Sequence, residues 1–178
     1  LKKKKLIPNN KAVVWRGPMA SSAMKQLILD VEWGELDYLI VDLPPGTSDI
    51  HITLSQSFPV TGTVIITTPQ KVSTNDAEKA ISMYNQEQTN IPIIGLIENM
   101  SYFIDDNDKK NYLFGKDGGK TLCNKFSIDF IGQIPIDKRI SDGSDLGYPI
   151  ILKENKISDI FKTLSQNIAR KIAINNSK

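Results

Sequence analysis

Four apolar runs of strand length, at residues 37–42 (DYLIVD), 62–67 (GTVIIT), 91–97 (IPIIGLI) and 129–134 (DFIGQI), are apolar on consecutive residues instead of alternating. An alternating strand turns one face to water, whereas a strand apolar on both faces needs cover on both, the pattern of a parallel sheet with helices above and below. The intervening segments read as those helices. Residues 19–33 are rich in Ala, Met, Lys, Gln and Leu, with Pro18 placed where a first helical residue tolerates a missing N–H. Residues 74–88 follow Ser73, with Asp76 three residues on, the spacing of a capping box built with the shorter acid. Residues 118–126 predict a short helix. Ile157, Ile160, Phe161, Leu164, Ile168 and Ile172 mark one face of a last amphipathic helix, and the 143–147 region with Pro149 marks a loop before it. This order predicts a doubly wound, mainly parallel α/β sheet with helices on both faces, one domain over residues 1–178, and a poorly ordered end at 1–11. Ligands of such sheets sit in the crevice at the carboxyl ends of the strands.

Charge and cysteine content exclude several classes. A net charge of +2, from 22 basic and 20 acidic residues, creates no field that would by itself draw in nucleic acid or an anionic membrane. The one dense basic run, Lys2 to Lys5, reads as a solvated end and is assigned no function. Cys123 is the single cysteine, so an internal disulfide and a metal site built on several thiolates of one chain are both excluded. No apolar stretch approaches the roughly 18 residues that span a bilayer. The first residues, LKKKK, lack the apolar core that follows the basic end of a secretory signal. The reading is a cytoplasmic protein without nucleic-acid or membrane partners.

The first run leads straight into DLPPGTSD, residues 42–49. A carboxylate at the end of an apolar strand, Asp42, is placed to hold a Mg ion through water, as in the second acidic motif of nucleotide hydrolases. Pro44 and Pro45 stiffen the exit, while Gly46 lets the backbone approach a ligand and offers its N–H to a phosphate oxygen. Taken alone, an aspartate ending a strand is more often just that; the full string is far more specific.

DLPPGTSD resembles the switch II segment of nitrogenase-iron-protein-like and MinD-like ATPases. WRGPM (15–19), VEWGELDY (31–38), TPQ (68–70), ENMSYF (98–103), Phe114-Gly115 with Gly118-Gly119, and GQIPID (132–137) then occur in the order found in the Mrp/ApbC family of P-loop ATPases, which are iron–sulfur cluster carriers. The resemblance runs from Ala12 to about Ala173. It implies ATP and Mg as ligands and ATP hydrolysis by the whole protein. It further implies a homodimer, a [4Fe–4S] cluster as cargo and apo iron–sulfur proteins as recipients. On it, Asp42 is the magnesium-linked carboxylate and Gly46 the sensor of the terminal phosphate, with Asp49 a further candidate in that loop. Asn99 meets the adenine edge, a role that suits an amide offering both donor and acceptor. Pro135 and Asp137 line the base and ribose. Arg16, beside a tight Gly-Pro turn, suits a phosphate, a carboxylate across a dimer interface or a surface ion pair.

Two departures from the family pattern matter. Its phosphate loop is expected upstream of Trp15, so the chain reads as truncated at its start and as a weak binder of ATP by itself. Gly115 to Thr121 (GKDGGKT) superficially resembles that loop, but Phe114 stands where the first glycine is required, and the segment reads as a helix-entry turn. Family members that bridge a cluster across a dimer carry a C-x-x-C pair just after ENMSYF. Here residues 104–111 (IDDNDKKN) hold no cysteine and read as a solvated loop, so no iron–sulfur ligand is assigned. Cys123 reads as a small core residue and His51 as a helix-start side chain. The rival reading is a MinD- or ParA-like positioning ATPase; a third is an inactive piece retaining half a nucleotide site.

Overall fold

The computed structural model describes residues 17–177; Arg16, Lys2 to Lys5 and the 1–11 end lie outside them. The chain divides into two compact units, residues 1–58 and 59–178.

In the first unit, α1 (Gly17–Leu29) and α2 (Asp49–Ser57) are joined by a long irregular segment. Helix α1 ends four residues short of the expected Trp33, whose indole N–H donates to the Ile28 carbonyl at 3.2 Å and so caps the last turn. The expected strand at 37–42 is not formed. The bonds of a strand are all made to a neighbouring segment, and no strand among the described residues of this unit offers a ladder. Its side chains stand open to solvent, Ile40 at 89% exposure. Asp42 accordingly sits in an extended loop and not at a strand end.

The second unit holds the sheet. Strands β1 (Thr63–Thr67), β2 (Ile93–Glu98) and β5 (Phe130–Gln133) are all parallel, in the order β1-β2-β5. Between them come α3 (Lys71–Tyr84), a two-residue hairpin of β3 (Phe103–Ile104) with β4 (Lys110–Asn111), and α4 (Gly118–Phe126). After β5 come α5 (Lys138–Asp145), a 3-10 turn at Ile150–Leu152 and α6 (Lys156–Asn176). Strand β2 is central, which explains its run of apolar residues. On one face Leu96 packs with Ile65 of β1 against Ala77, Ile81 and Tyr84 of α3 and Leu122 of α4. On the other, Ile94, Ile97 and Ile131 pack against Leu164 of α6, with Ile160, Ile168 and Ile172 beside it. Both faces are therefore covered by helices, as the uninterrupted apolar runs require. Gly95 passes close to the start of β5: a Cβ there would lie 2.6 Å from the Asp129 carbonyl oxygen.

Two further expectations are corrected. The Ser73–Asp76 capping box is absent because α3 starts earlier, at Lys71 with Gln70 as N-cap. The Ser73 hydroxyl instead lies 2.9 Å from the Thr67 hydroxyl and accepts the Thr68 N–H at 3.0 Å, satisfying a donor left over at the end of β1. Residues 143–149 are not a plain loop, since α5 reaches Asp145. Helix α6, by contrast, opens on a true capping box, Asn155 with Ser158. No helix among the described residues is long and apolar enough to cross a membrane.

Candidate functional site

Backbone hydrogen bonds tie the carboxyl ends of the three strands together. The Asn99 N–H donates to the Thr67 carbonyl at 2.7 Å, joining the end of β2 to that of β1. The Ile134 N–H donates to the Glu98 carbonyl at 2.9 Å, the Ser101 N–H to the Ile134 carbonyl at 3.0 Å, and the Ile136 N–H to the Tyr102 carbonyl at 2.7 Å. These three bonds join the end of β2 and the turn that follows it to the 134–136 stretch that carries Pro135. Asn99 and Pro135 therefore stand on adjacent strand ends, where ligands of this sheet type bind.

Asn99 is half-buried, and its Oδ1 accepts the Met100 N–H at 2.9 Å, with Met100 in the left-handed region at φ 51°. An amide oxygen has a second lone pair and the Nδ2 two donors, so this local bond leaves the side chain able to pair with a base edge. Pro135 is buried. Asp137 is the N-cap of α5: it accepts the Arg139 N–H at 2.9 Å and holds the guanidinium by two bonds, at 2.8 and 2.6 Å. The side-chain bonds from Arg139 hold the Asp137 carboxyl below the usual carboxylate range. Replacing Asp137 with Ala is expected to cost about 1 kcal/mol through the lost cap. Because the folded pKa is depressed, that contribution is complete above the ordinary carboxylate pKa of about 4 and is lost as the pH falls through the lower folded value. Thermal melts should separate wild type from Asp137→Ala at pH 7 and bring them together in strong acid.

In the first unit, Asp42 is exposed, and Gly46, at φ 95°, has only open space where a Cβ would stand. That backbone suits glycine and leaves the Gly46 peptide accessible to an anion. Asp49 begins α2, and a Cβ on Gly17 would lie 2.7 Å from its Oδ2, so its carboxylate sits at the start of both helices, where negative charge is favoured. His51 is buried with its ring beside Ser48, and burial lowers its pKa.

One residue of the site was not singled out from the sequence. Glu98 is fully buried, and its carboxylate accepts from the Ser101 hydroxyl at 2.5 Å, the Gly119 N–H at 2.7 Å and the Gln133 amide at 2.9 Å. The sequence offers only a weak signal for it, an acid directly after the apolar run at 91–97. The GKDGGKT segment is thereby accounted for: it enters α4, the Gly119 N–H is already taken by a carboxylate, and Lys120 pairs with Asp117 at 3.0 Å.

A single Asp42 carboxylate, solvent-facing on its loop, fits Mg, which binds through one or two carboxylates with water and substrate phosphates. An iron–sulfur cluster does not fit the described residues as ligands. Cys123 lies in the core beneath the sheet, burial pushes its thiol up to about 11, and no group of three or more His, Cys, Asp or Glu is gathered elsewhere among the described residues. Residues 104–111 form the β3–β4 hairpin, in which Asp105 accepts from the Asn107 N–H, the Lys109 N–H and the Asn111 amide.

The ParA family model described as "NUBPL iron-transfer P-loop NTPase" matches residues 3–173. A protein of Methanocaldococcus jannaschii named "iron-sulfur cluster carrier protein" is 44% identical over 170 residues, which are 94% of this chain and 58% of that protein. Its counterpart of the same name in Aquifex aeolicus is 42% identical over 167 residues, 90% of this chain and 45% of that one. The chain thus spans about half the length of the curated relatives it matches. Among solved structures, a nucleotide-binding protein of Archaeoglobus fulgidus in complex with ADP superposes with a TM-score of 0.63 at 43% identity, covering 71% of this chain and 52% of that one. The Pyrococcus furiosus cell division ATPase MinD has the same fold, with a TM-score of 0.59 at 20% identity over 89% of this chain and 63% of its own.

Proposed function

This chain belongs to the NUBPL iron-transfer P-loop NTPase family, and on that premise we propose that the whole protein is an ATP-dependent iron–sulfur cluster carrier, hydrolysing ATP with Mg and delivering its cluster to apo-protein recipients. The observation that carries the nucleotide reading is the placement of Asn99 and the 134–136 stretch on neighbouring, joined strand ends, in a chain 43% identical to a protein solved with ADP. In this reading Asn99 donates to and accepts from the adenine edge, Pro135 packs against the base, and Asp137, pinned by Arg139, faces the ribose hydroxyls. Asp42 would hold the water shell of a Mg ion, which would neutralise charge on the phosphates. The Gly46 N–H donates to the terminal phosphate and is released when that phosphate leaves, so the loop has two states set by the nucleotide. Water attacks the terminal phosphorus as its bond to the bridging oxygen of ADP breaks, giving ADP and inorganic phosphate.

The cluster is cargo, and Cys123, buried in the core, takes no part in holding it. We place the protein in a reducing compartment, the cytoplasm, in keeping with its single free thiol, and infer a homodimer from the family resemblance alone. A positioning ATPase of the MinD kind shares the fold, but it needs a helix face free to meet a membrane, and α6 spends its apolar face on the sheet.

The carrier reading is tested by reconstituting the whole protein with iron and sulfide and mixing it with apo-aconitase. Recovery of aconitase activity, faster than from free iron and sulfide, is expected. A protein that never takes up a cluster, or that transfers no faster than the free ions, sinks the reading.

A further inference from the structure

Among the described residues, the hydrogen-bonding partners of the buried Glu98 carboxylate are a hydroxyl, a peptide N–H and a side-chain amide, and none is a cation. Each comes from a different part of the site wall. Ser101 closes the turn that holds Asn99, Gln133 ends the strand that leads to Pro135 and Asp137, and Gly119 opens α4. A carboxylate accepts in several directions at once, and one that is fully buried is tolerated only where donors surround it. Here Oε1 takes two donors and Oε2 the third. Gly119 has to be glycine for this approach, since a Cβ there would stand 3.2 Å from the Glu98 side chain and 2.8 Å from Leu96.

The consequence falls on the next residue. Asn99 is held on one side by its N–H to Thr67 and on the other by a turn whose Met100 is left-handed. The bond from the Ser101 hydroxyl to Glu98 closes that turn over a buried anchor. We infer that Glu98 is the positioning residue of the base pocket, fixing the Asn99 turn and the Gln133–Asp137 wall in one register without itself touching the nucleotide. This rests on the proposed placement of the adenine at Asn99 and deepens it: Glu98 sets how well the pocket distinguishes adenine from guanine.

Glu98→Gln keeps the shape but replaces one acceptor oxygen with an NH2 group; with the remaining oxygen on the Gly119 N–H, the Ser101 hydroxyl and the Gln133 amide both have to turn from donor to acceptor, which disturbs the turn and the strand end that they hold. The test is calorimetric titration of ADP and of GDP into the whole protein, as wild type, Glu98→Gln, Asn99→Ala and the double variant, with ATPase kinetics on the same four. The expected result is about a tenfold weaker ADP affinity in Glu98→Gln, a tenfold step being about 1.4 kcal/mol. Preference for ADP over GDP should fall, KM should rise with kcat within about twofold, and the double variant should be no weaker than Asn99→Ala, because the two act as one unit. Fully additive losses, or unchanged affinity and preference in Glu98→Gln while Asn99→Ala weakens ADP, overturn the role of Glu98 and leave the nucleotide site standing. Wild type that binds no ADP, or Asn99→Ala that binds like wild type, overturns the placement of the base and the role of Glu98 with it. A circular-dichroism melt of Glu98→Gln guards the comparison; should that variant fail to fold, Gln133→Leu removes one of the same bonds at the half-buried edge and carries the same expectations.

Discussion

Asp42→Asn in the whole protein is expected to lower ATP hydrolysis by at least about 100-fold, a barrier increase of about 2.7 kcal/mol. The substitution keeps the size and the hydrogen-bonding reach of the side chain and removes only its charge. That charge is what a Mg ion bound through its water shell requires from a single carboxylate. Since Asp42 is exposed, folding should hardly notice, with a change within about 0.5 kcal/mol. Phosphate release under saturating ATP, beside a thermal melt, reads both quantities. Hydrolysis within threefold of wild type would remove Asp42 from the reaction.

The largest effect on stability is expected from Leu96→Ala. Leu96 is 0% exposed on the central strand, between Ile65 of β1 and the α3 and α4 side chains Ile81 and Leu122. Truncation removes the methyl groups from water-free surroundings and leaves a cavity that a central parallel strand, clamped on both edges, has little room to close. A loss of about 2–5 kcal/mol follows, measured as the shift in a urea titration of the chain. An equivalent deletion at Ile151, on the 3-10 turn and partly exposed, should cost far less. Equal costs at the two positions would mean that the sheet is not the centre of the core.

The sheet of the second unit was legible because parallel strands covered on both faces leave an unmistakable trace, apolar residues without alternation. Three of the four runs are strands within a residue or two of the expected bounds, and α4 matches at both ends. The fourth run, 37–42, carries the same trace yet makes no strand, because apolarity states a need for burial while a strand also needs a partner for its backbone. Helix α5 was missed, and α2 was read only as a helix start at His51, for a related reason. Both are short, and neither presents a clear apolar stripe; α5 buries no residue at all and owes its start to the Asp137 cap. Ser73 shows the converse failure, a good local capping signal overruled by the need of the Thr68 N–H next to it.

The candidate residues were legible as motif positions and not as geometry. Asn99, Pro135 and Asp137 lie where strand ends were expected. Glu98 was invisible as a hub because its donors are 3, 21 and 35 positions away in the chain, distances over which no spacing rule operates. Its neighbour Asn99 carried the motif, and the residue that organises the turn was read merely as the acid beside it.

The proposed site holds an adenine nucleotide at the carboxyl ends of the parallel strands, with its base on Asn99. A crystal structure of the whole protein grown with ADP and Mg tests it most directly. The prediction is an adenine edge within hydrogen-bond distance of the Asn99 amide, its ring against Pro135 and the ribose toward Asp137. A nucleotide bound elsewhere, with Asn99 still turned only to the Met100 N–H, would contradict it.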